Sequence, residues 1–283
     1  MSGVQQWGDA TLADAVERLV RGLSVESVVS VWLGDVHGEC VYRRRDQATH
    51  YAASTMKLPL LVAAYRRHER GEIDLAAEVP VHNSFHSAFD GSLFGLDQSD
   101  DQDDETWSRI GRTMSLRALA RHATTHSGNL ATNLLLEHVG SAAVSEVLAD
   151  AGCSGLTTLP RGIEDGAARR AGLDNRVTAG DLAQVMCGIG SRRLAEAPTC
   201  RAVEDVLAAQ QHREQIPAGL PDGTYVANKT GWVDGVAHDV ALVRPGSAPA
   251  YVIAVCTTAP ASEEALYALN AGISAAAWRR WTS

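Results

Sequence analysis

Apolar positions recur along this chain with two periods. Leu12, Val16, Leu19, Val20 and Leu23 lie at helical spacing, and Thr11, with Asp14 three residues on, is placed to cap that helix. The valine-rich stretch from Ser27 to Leu33 reads as a strand, Gly34-Asp-Val-His-Gly38 as a turn, and Cys40 to Arg44 as the returning strand of a hairpin. Ser54-Thr55-Met56-Lys57 then opens the apolar run Leu58 to Ala64, which reads as a helix. Pro59 inside it cannot donate to Thr55 O, so a kink or local adjustment is expected there.

Residues 71–112 carry little periodicity. Their acidic run, Asp97 to Glu105, lacks EF-hand spacing and reads as a solvated loop. Helical periodicity returns over Leu116 to Ala123, Leu130 to Val139 and Ala142 to Ala151, then again from near Thr178 and over Arg201 to Gln211. A loop with Gly155, Pro160, Gly162, Gly166 and Gly172 interrupts that block. Thr224 to Lys229, Val236 to Val243 and Tyr251 to Thr257 read as strands. Ser262 caps a last helix, with Leu266, Leu269 and Ile273 on one face and Arg279 and Arg280 at its end.

The order is helix, two strands, a helical block, three strands, helix. It predicts an α/β (α+β) fold: an antiparallel five-stranded sheet flanked by the terminal helices, which cover one face, plus an inserted all-helical domain. The boundaries fall at residues 1–52 and 213–283 for the sheet domain and 53–212 for the helical one. The active site is expected at their junction.

Composition narrows the function. Of 283 residues 45% are apolar, ample for a core, and a net charge of -9 argues against nucleic acid as partner. No apolar run approaches the ~18 residues of a membrane span. The N-terminus has no basic start and no continuous apolar segment, so no secretory signal is read. Five scattered cysteines fit reduced thiols. A cytoplasmic protein without a protein partner is expected. No glycine-rich dinucleotide or phosphate loop is present, and no cofactor is expected. His82/His86 and His122/His126 have a spacing that can hold zinc on a helix, yet neither pair carries the H-E-x-x-H glutamate or an evident third ligand. No metal is expected, and His126 is expected to pack beside Ser127.

Candidate chemistry begins at Ser54 and Lys57, which share one face if the segment is helical. The serine would lie at the helix N-terminus, where free N–H groups favour developing negative charge, and the lysine could take its proton. Two further segments, Ser127-Gly-Asn129 and Lys229-Thr230-Gly231, follow in the order S-x-x-K, S-x-N, K-T-G. That triple is far more specific than any one member.

With STMKLPLL, HSGNLATNLLL, RGIED, NKTGW and HDVALV, the chain resembles, over nearly its whole length, the class A β-lactamase and penicillin-binding D,D-peptidase superfamily. The resemblance implies a β-lactamase-like serine hydrolase that cleaves an amide, ester or lactam bond of a small-molecule acyl substrate through an acyl-enzyme on Ser54. Lys57 would be the proton partner of Ser54, and Ser127 would relay a proton to the leaving group. Asn129 would hold the substrate amide, Lys229 and Thr230 a substrate carboxylate. The backbone N–H groups of Ser54 and Trp232, beside Gly231, would form the oxyanion hole.

Three departures stand out. The middle motif has Gly128 where the family has aspartate. Glu164 is the candidate deacylation base, but Ala168 stands where the family has a partner asparagine. The family's carboxylate-binding arginine has no counterpart, and His238 stands at about its distance past Lys229, so it is the candidate there. Arg161 is placed to pair with Asp174 across the neck of the Glu164 loop. The alternatives are an acyltransferase or D,D-peptidase-like amidase of the same fold, and a non-catalytic binding protein that retains it.

Overall fold

The computed structural model describes residues 9–24 and 26–283, with side chains from Leu12 onward in the first helix. The longer helices are α1 (Asp9–Val20), α2 (Lys57–Glu69), α3 (Leu116–Thr125), α4 (Asn129–Val139), α5 (Ser141–Asp150), α6 (Ala179–Gly190), α7 (Ala197–Ala208) and α8 (Glu263–Thr282). Helix α1 starts ahead of the expected Thr11 cap, whose side chain lies outside the described residues. The strands of the main sheet are β1 (Val28–Asp35), β2 (Cys40–Arg44), β3 (Tyr225–Val233), β4 (Val236–Arg244) and β5 (Tyr251–Thr258). They lie in the order β2-β1-β5-β4-β3, every neighbouring pair antiparallel.

Alternate residues explain how this sheet is covered. Val31, Leu33, Ala241, Ile253 and Val255 pack with Leu12 and Val16 of α1 and Leu269 and Ile273 of α8. Their neighbours Trp32, Val240, Leu242, Val252, Ala254 and Cys256 join the larger core beneath the helical block. Both faces are therefore buried, which is why the strands read as continuous apolar runs without polar alternation. Helix α6 packs on β1, β4 and β5 from the side opposite the terminal helices. An Asp234-Gly235 turn joins β3 to β4, and Gly235 takes the positive φ of 70° that such a turn requires.

Helix α2 is the hub of the helical block. Every residue from Lys57 to Arg66 is buried, and the helix packs against α3, α4, α5 and α7. Burial on all sides accounts for an apolar run without an amphipathic stripe. The expected kink at Pro59 has no cause here. The helix starts at Lys57, so Pro59 falls in the first turn, where an N–H would have no intrahelical acceptor. Ser54 precedes the α-helix, in a 3₁₀ turn over Ala53–Met56.

Two loops finish the architecture. Residues 71–112, patternless in sequence, contain one short ladder, Phe85–His86 with Leu93–Phe94, and their Glu78–Pro80 pairs with Thr113–Ser115 just beyond. The Glu164 loop is tied to this region through buried Asp165, which accepts from Ser87 Oγ (2.7 Å), Ala88 N (2.8 Å) and Ala168 N (3.0 Å). At its neck Arg161 Nη2 lies 3.9 Å from Asp174 Oδ1, and Arg161 Nε donates to Leu173 O at 2.9 Å.

Strand β3 runs directly against the Ser54 turn, and the contact depends on a missing side chain. A Cβ on Gly231 would meet Thr55 N at 2.7 Å and Ser54 N at 2.8 Å, backbone that cannot swing aside. Gly231→Ala should therefore cost about 1–3 kcal/mol through overpacking. A lowered melting temperature in a thermal scan checks this; an unchanged one would mean that strand and turn can separate freely.

Candidate active site

A cavity of about 690 Å³ opens beside this junction, lined by Ser54, Ser127, Asn129, Glu164, Asn175 and Trp232 among others. Ser54 is half-buried on its turn. The preceding residue, Ala53, holds a left-handed φ of 44°, and Thr55 Oγ1 donates to Ala52 O at 2.6 Å, so the turn is locked. Non-glycine residues in that region persist where the surroundings over-determine them.

The two lysines of the sequence are Lys57 and Lys229; every other basic chain is arginine or histidine. The structure buries both, at 1% and 0% exposure, and brings them to one hydroxyl. Lys229 Nζ donates to Ser127 Oγ at 3.0 Å and to Thr230 O at 2.8 Å. Lys57 Nζ lies 3.5 Å from the same Oγ, 2.9 Å from Asn129 Oδ1 and 3.3 Å from Gly128 O, and it also donates to Ser127 O. No hydrogen bond joins Lys57 Nζ to Ser54 Oγ among the described residues. Burial pushes the Lys57 ammonium down to about 7, against the pull of Asp101 and Asp103. Burial, then repulsion from Lys57, holds Lys229 well below the usual lysine range, with Asp239 pulling the other way. Thr230 Oγ1 is buried beside it without a hydrogen-bond partner.

Ser127 adopts a left-handed φ of 61° between α3 and α4. Its turn is held by the N–H of Gly128, which donates to His122 O at 3.2 Å, and by Asn129, whose Nδ2 donates to Asp100 O at 3.0 Å. Asp101 caps α4, accepting from Asn129 N and Leu130 N, each at 2.8 Å. The acidic run is thus no solvated loop as a whole. Asp101 closes a helix, and Asp103, 2% exposed, accepts from His122 Nδ1 at 3.0 Å and from Thr106 Oγ1 at 2.5 Å. Burial raises the Asp103 pKa, but these two partners outweigh it and leave the carboxyl below its usual range.

Asp103 is also the third ligand-type residue that the His122/His126 spacing lacked, since ligand atoms of the three lie within 4.8 Å of one another. Asp103 holds His122 Nδ1, and Thr125 and Gln211 hold the two nitrogens of His126, which accounts for the cluster as a hydrogen-bonded network. His126 precedes Ser127 and stacks on His122 at 4.9 Å.

Glu164 faces the cavity from its loop with a left-handed φ of 60°. Its Oε2 accepts from Asp97 N at 2.9 Å, while Oε1 is buried without a partner. Burial raises its pKa, and Asp100, Asp97 and Asp101 add to the rise. Ala168, at the position of the expected partner asparagine, is fully buried, and its N–H is taken by Asp165 Oδ1 at 3.0 Å.

A sequence model described as the Beta-lactamase enzyme family matches residues 11–281 of the chain. This protein belongs to the β-lactamase enzyme family. Its structure is similar to a β-lactamase from Sphaerobacter thermophilus at 26% identity, covering 95% of this chain and 96% of that one with a TM-score of 0.77. PBP-A shares the fold at 19% identity, with 96% of each chain covered and a TM-score of 0.78. A β-lactamase from Citrobacter koseri is 28% identical over 168 residues, 53% of this chain and 52% of that protein. The chain thus matches about half the length of that curated relative.

Within this β-lactamase-family site His238, expected to face a substrate carboxylate, has both ring nitrogens engaged by main-chain groups. His238 is fully buried and absent from the cavity wall. Thr257 N donates to its Nδ1 at 3.1 Å, and Nε2 lies 2.9 Å from Tyr51 O as the donor. Burial pushes its pKa down to about 4, so the ring is neutral and structural. Arg169, which sequence reasoning passed over, is exposed on the cavity wall instead.

Because the chain has two lysines, lysine labelled with ¹⁵N and ¹³C should give two side-chain signals. The Lys57 signal should titrate near 7 and lose its charge as pH rises through that value. Titration near the ordinary value of about 10.4 would show that burial does not set its basicity.

Proposed function

We propose that the protein is a serine hydrolase that forms an acyl-enzyme on Ser54 of a small-molecule amide, ester or lactam. The observation that carries this reading is the convergence of both lysines on Ser127 Oγ beside Ser54 in one cavity. In the first step Ser54 Oγ attacks the acyl carbon and its proton passes to the neutral Lys57 amine. Because Lys57 now bonds Asn129 and the Ser127 turn, its amine must reorient toward Ser54 when substrate enters. The carbonyl oxygen becomes negative between the backbone N–H groups of Ser54 and Trp232, where removing one donor typically costs ~10²–10³ in rate. The acyl bond then breaks, and the leaving nitrogen or oxygen takes the Ser127 Oγ proton, which a lysine replaces. Lys229 and the unpartnered Thr230 hydroxyl fit a substrate carboxylate.

Glu164 serves as the base for the second step in this proposal. Its raised pKa favours proton acceptance once it is ionised, and its free Oε1 is the atom for a water to meet. Asp165 is unsuited to that task, because both its oxygens hold the loop together. Ala168 supports a second reading. With no polar group there to help hold a water, an amine or alcohol acceptor could resolve the acyl-enzyme, giving an acyltransferase or amidase. The free thiols of the chain accord with a cytoplasmic setting.

Ser54→Ala should abolish adduct formation with a fluorescent penicillin or a phosphonate probe while leaving the melting temperature nearly unchanged. A parent that takes no label would favour a binding protein of the same fold. Glu164→Gln should still acylate but should lose the adduct ~10²–10⁴ more slowly, as expected on removing a positioned base. Intact mass followed over time decides this, and equal decay in both proteins would exclude Glu164. Faster decay with an added amine would select the acyltransferase.

A further inference from the structure

The middle motif of this chain lacks the acidic side chain of the S-D-N form, yet an acidic side chain stands at that place. A Cβ built on Gly128 would lie 2.8 Å from Asp103 Oδ2 and 2.8 Å from Asp103 Cβ. Gly128 and Asp103 are therefore reciprocal: the turn can hold a side chain of its own or accept that of Asp103, but not both. We propose that Asp103 is a positioning residue, which supplies from a separate loop the carboxylate missing at Gly128 and so sets the Ser127 turn that both lysines bond. This deepens the hydrolase reading and rests on it for the catalytic consequence.

The geometry gives Asp103 one place to be. Thr106 N donates to it at 3.3 Å, and Thr106 Oγ1 and His122 Nδ1 complete its partners. His122 acts twice. Its ring fixes the carboxylate, and its main-chain oxygen accepts from Gly128 N at 3.2 Å and His126 N at 3.2 Å, closing the turn that carries Ser127. Two residues back along the same loop, Asp101 caps α4 just past Asn129. The loop therefore clamps the S-x-N segment at its glycine and at its helix end. Both lysines depend on this clamp, because Lys57 takes its acceptors from Ser127, Gly128 and Asn129 and Lys229 takes Ser127 Oγ.

The charges oppose in a simple way. Lys57 faces Asp101 and Asp103, which favour its protonated form, and Lys229, whose own ammonium would disfavour it. Asp103 faces His122, beyond which stand Glu105, with its Oε2 3.8 Å from His122 Nε2, and Arg121. Neutralising Asp103 removes one of the two charges that hold the Lys57 proton. The Lys57 titration is then expected at lower pH, less whatever positive charge His122 loses with its partner.

The experiment compares the parent with Asp103→Asn, Asp103→Ala, and Asp103→Ala combined with Gly128→Asp. Lysine-labelled samples report the Lys57 midpoint, and an acylating probe reports the Ser54 labelling rate. Asp103→Asn should lower the midpoint by about half a unit or more. The misplaced turn should slow labelling about ten- to a hundredfold. The relocated carboxylate of the double variant should recover most of both losses, whereas Gly128→Asp alone should remain impaired by the clash with Asp103. An unmoved midpoint in folded Asp103→Asn, or a double variant no better than folded Asp103→Ala, would overturn the proposal. If Asp103→Ala does not fold, the shape-preserving Asp103→Asn decides alone. A parent that takes no label sinks the hydrolase reading, while the lysine titration still decides the role of Asp103.

Discussion

Everything in this site depends on taking two ammonium groups out of water and bringing both to one serine hydroxyl. Burial of a lone cation is expensive, and a protein commonly meets the cost by letting the group lose its proton. Here that outcome serves the proposed chemistry, since a proton acceptor is wanted beside Ser54 near neutral pH. Lys57 reaches that range because burial outweighs Asp101 and Asp103. Lys229 adds repulsion that keeps both groups from being charged at once with ease. The absence of any other lysine from the sequence fits a surface that leaves exposed positive charge to arginine.

The scaffold can be read as the means of enforcing that proximity. Helix α2 is buried from Lys57 to Arg66, so Lys57 at its start is almost wholly withdrawn from water. Strand β3 is the edge of the sheet, and the absent side chain of Gly231 lets Lys229 and Thr230 arrive alongside the Ser54 turn. The third approach is the Ser127 turn, whose left-handed backbone would relax if unsupported. The acidic loop supports it, so a segment far from the motifs in sequence joins their geometry.

The sheet and most helices were legible because burial on one or two faces writes a periodic pattern. The three motifs were legible because their spacing is fixed by chemistry rather than by burial. The acidic loop was not, since charge counts do not reveal that Asp101 reaches Asn129 and Leu130, or that Asp103 is enclosed by His122 and Thr106. The helix start at Lys57 was missed for a local reason: a 3₁₀ turn and an α-helix share the same first residues in sequence pattern. His238 failed differently. It pairs with Gly231 across β3 and β4, close in register to the site, but distance along the chain does not say whether the ring lines a cavity. Its partners, Tyr51 O and Thr257 N, are visible only in three dimensions.

The Glu164 loop poses the sharpest chemical question. One oxygen of this carboxylate is held by Asp97 N and the other is buried without a partner, and burial, then the nearby acidic residues, keep it a better proton acceptor than a solvated glutamate. A water brought there would have Glu164 as partner, but Ala168 supplies no side-chain hydrogen bond to fix its second lone pair or proton. An amine or alcohol acceptor brings additional contacts of its own and relies less on that missing partner. Under the proposed mechanism the cavity admits both hydrolysis and transfer, with Lys57 and Ser127 serving both, and their ratio depends on how well water alone is held. In the proposed mechanism it is the residue at 168, rather than the nucleophile, that separates the two outcomes.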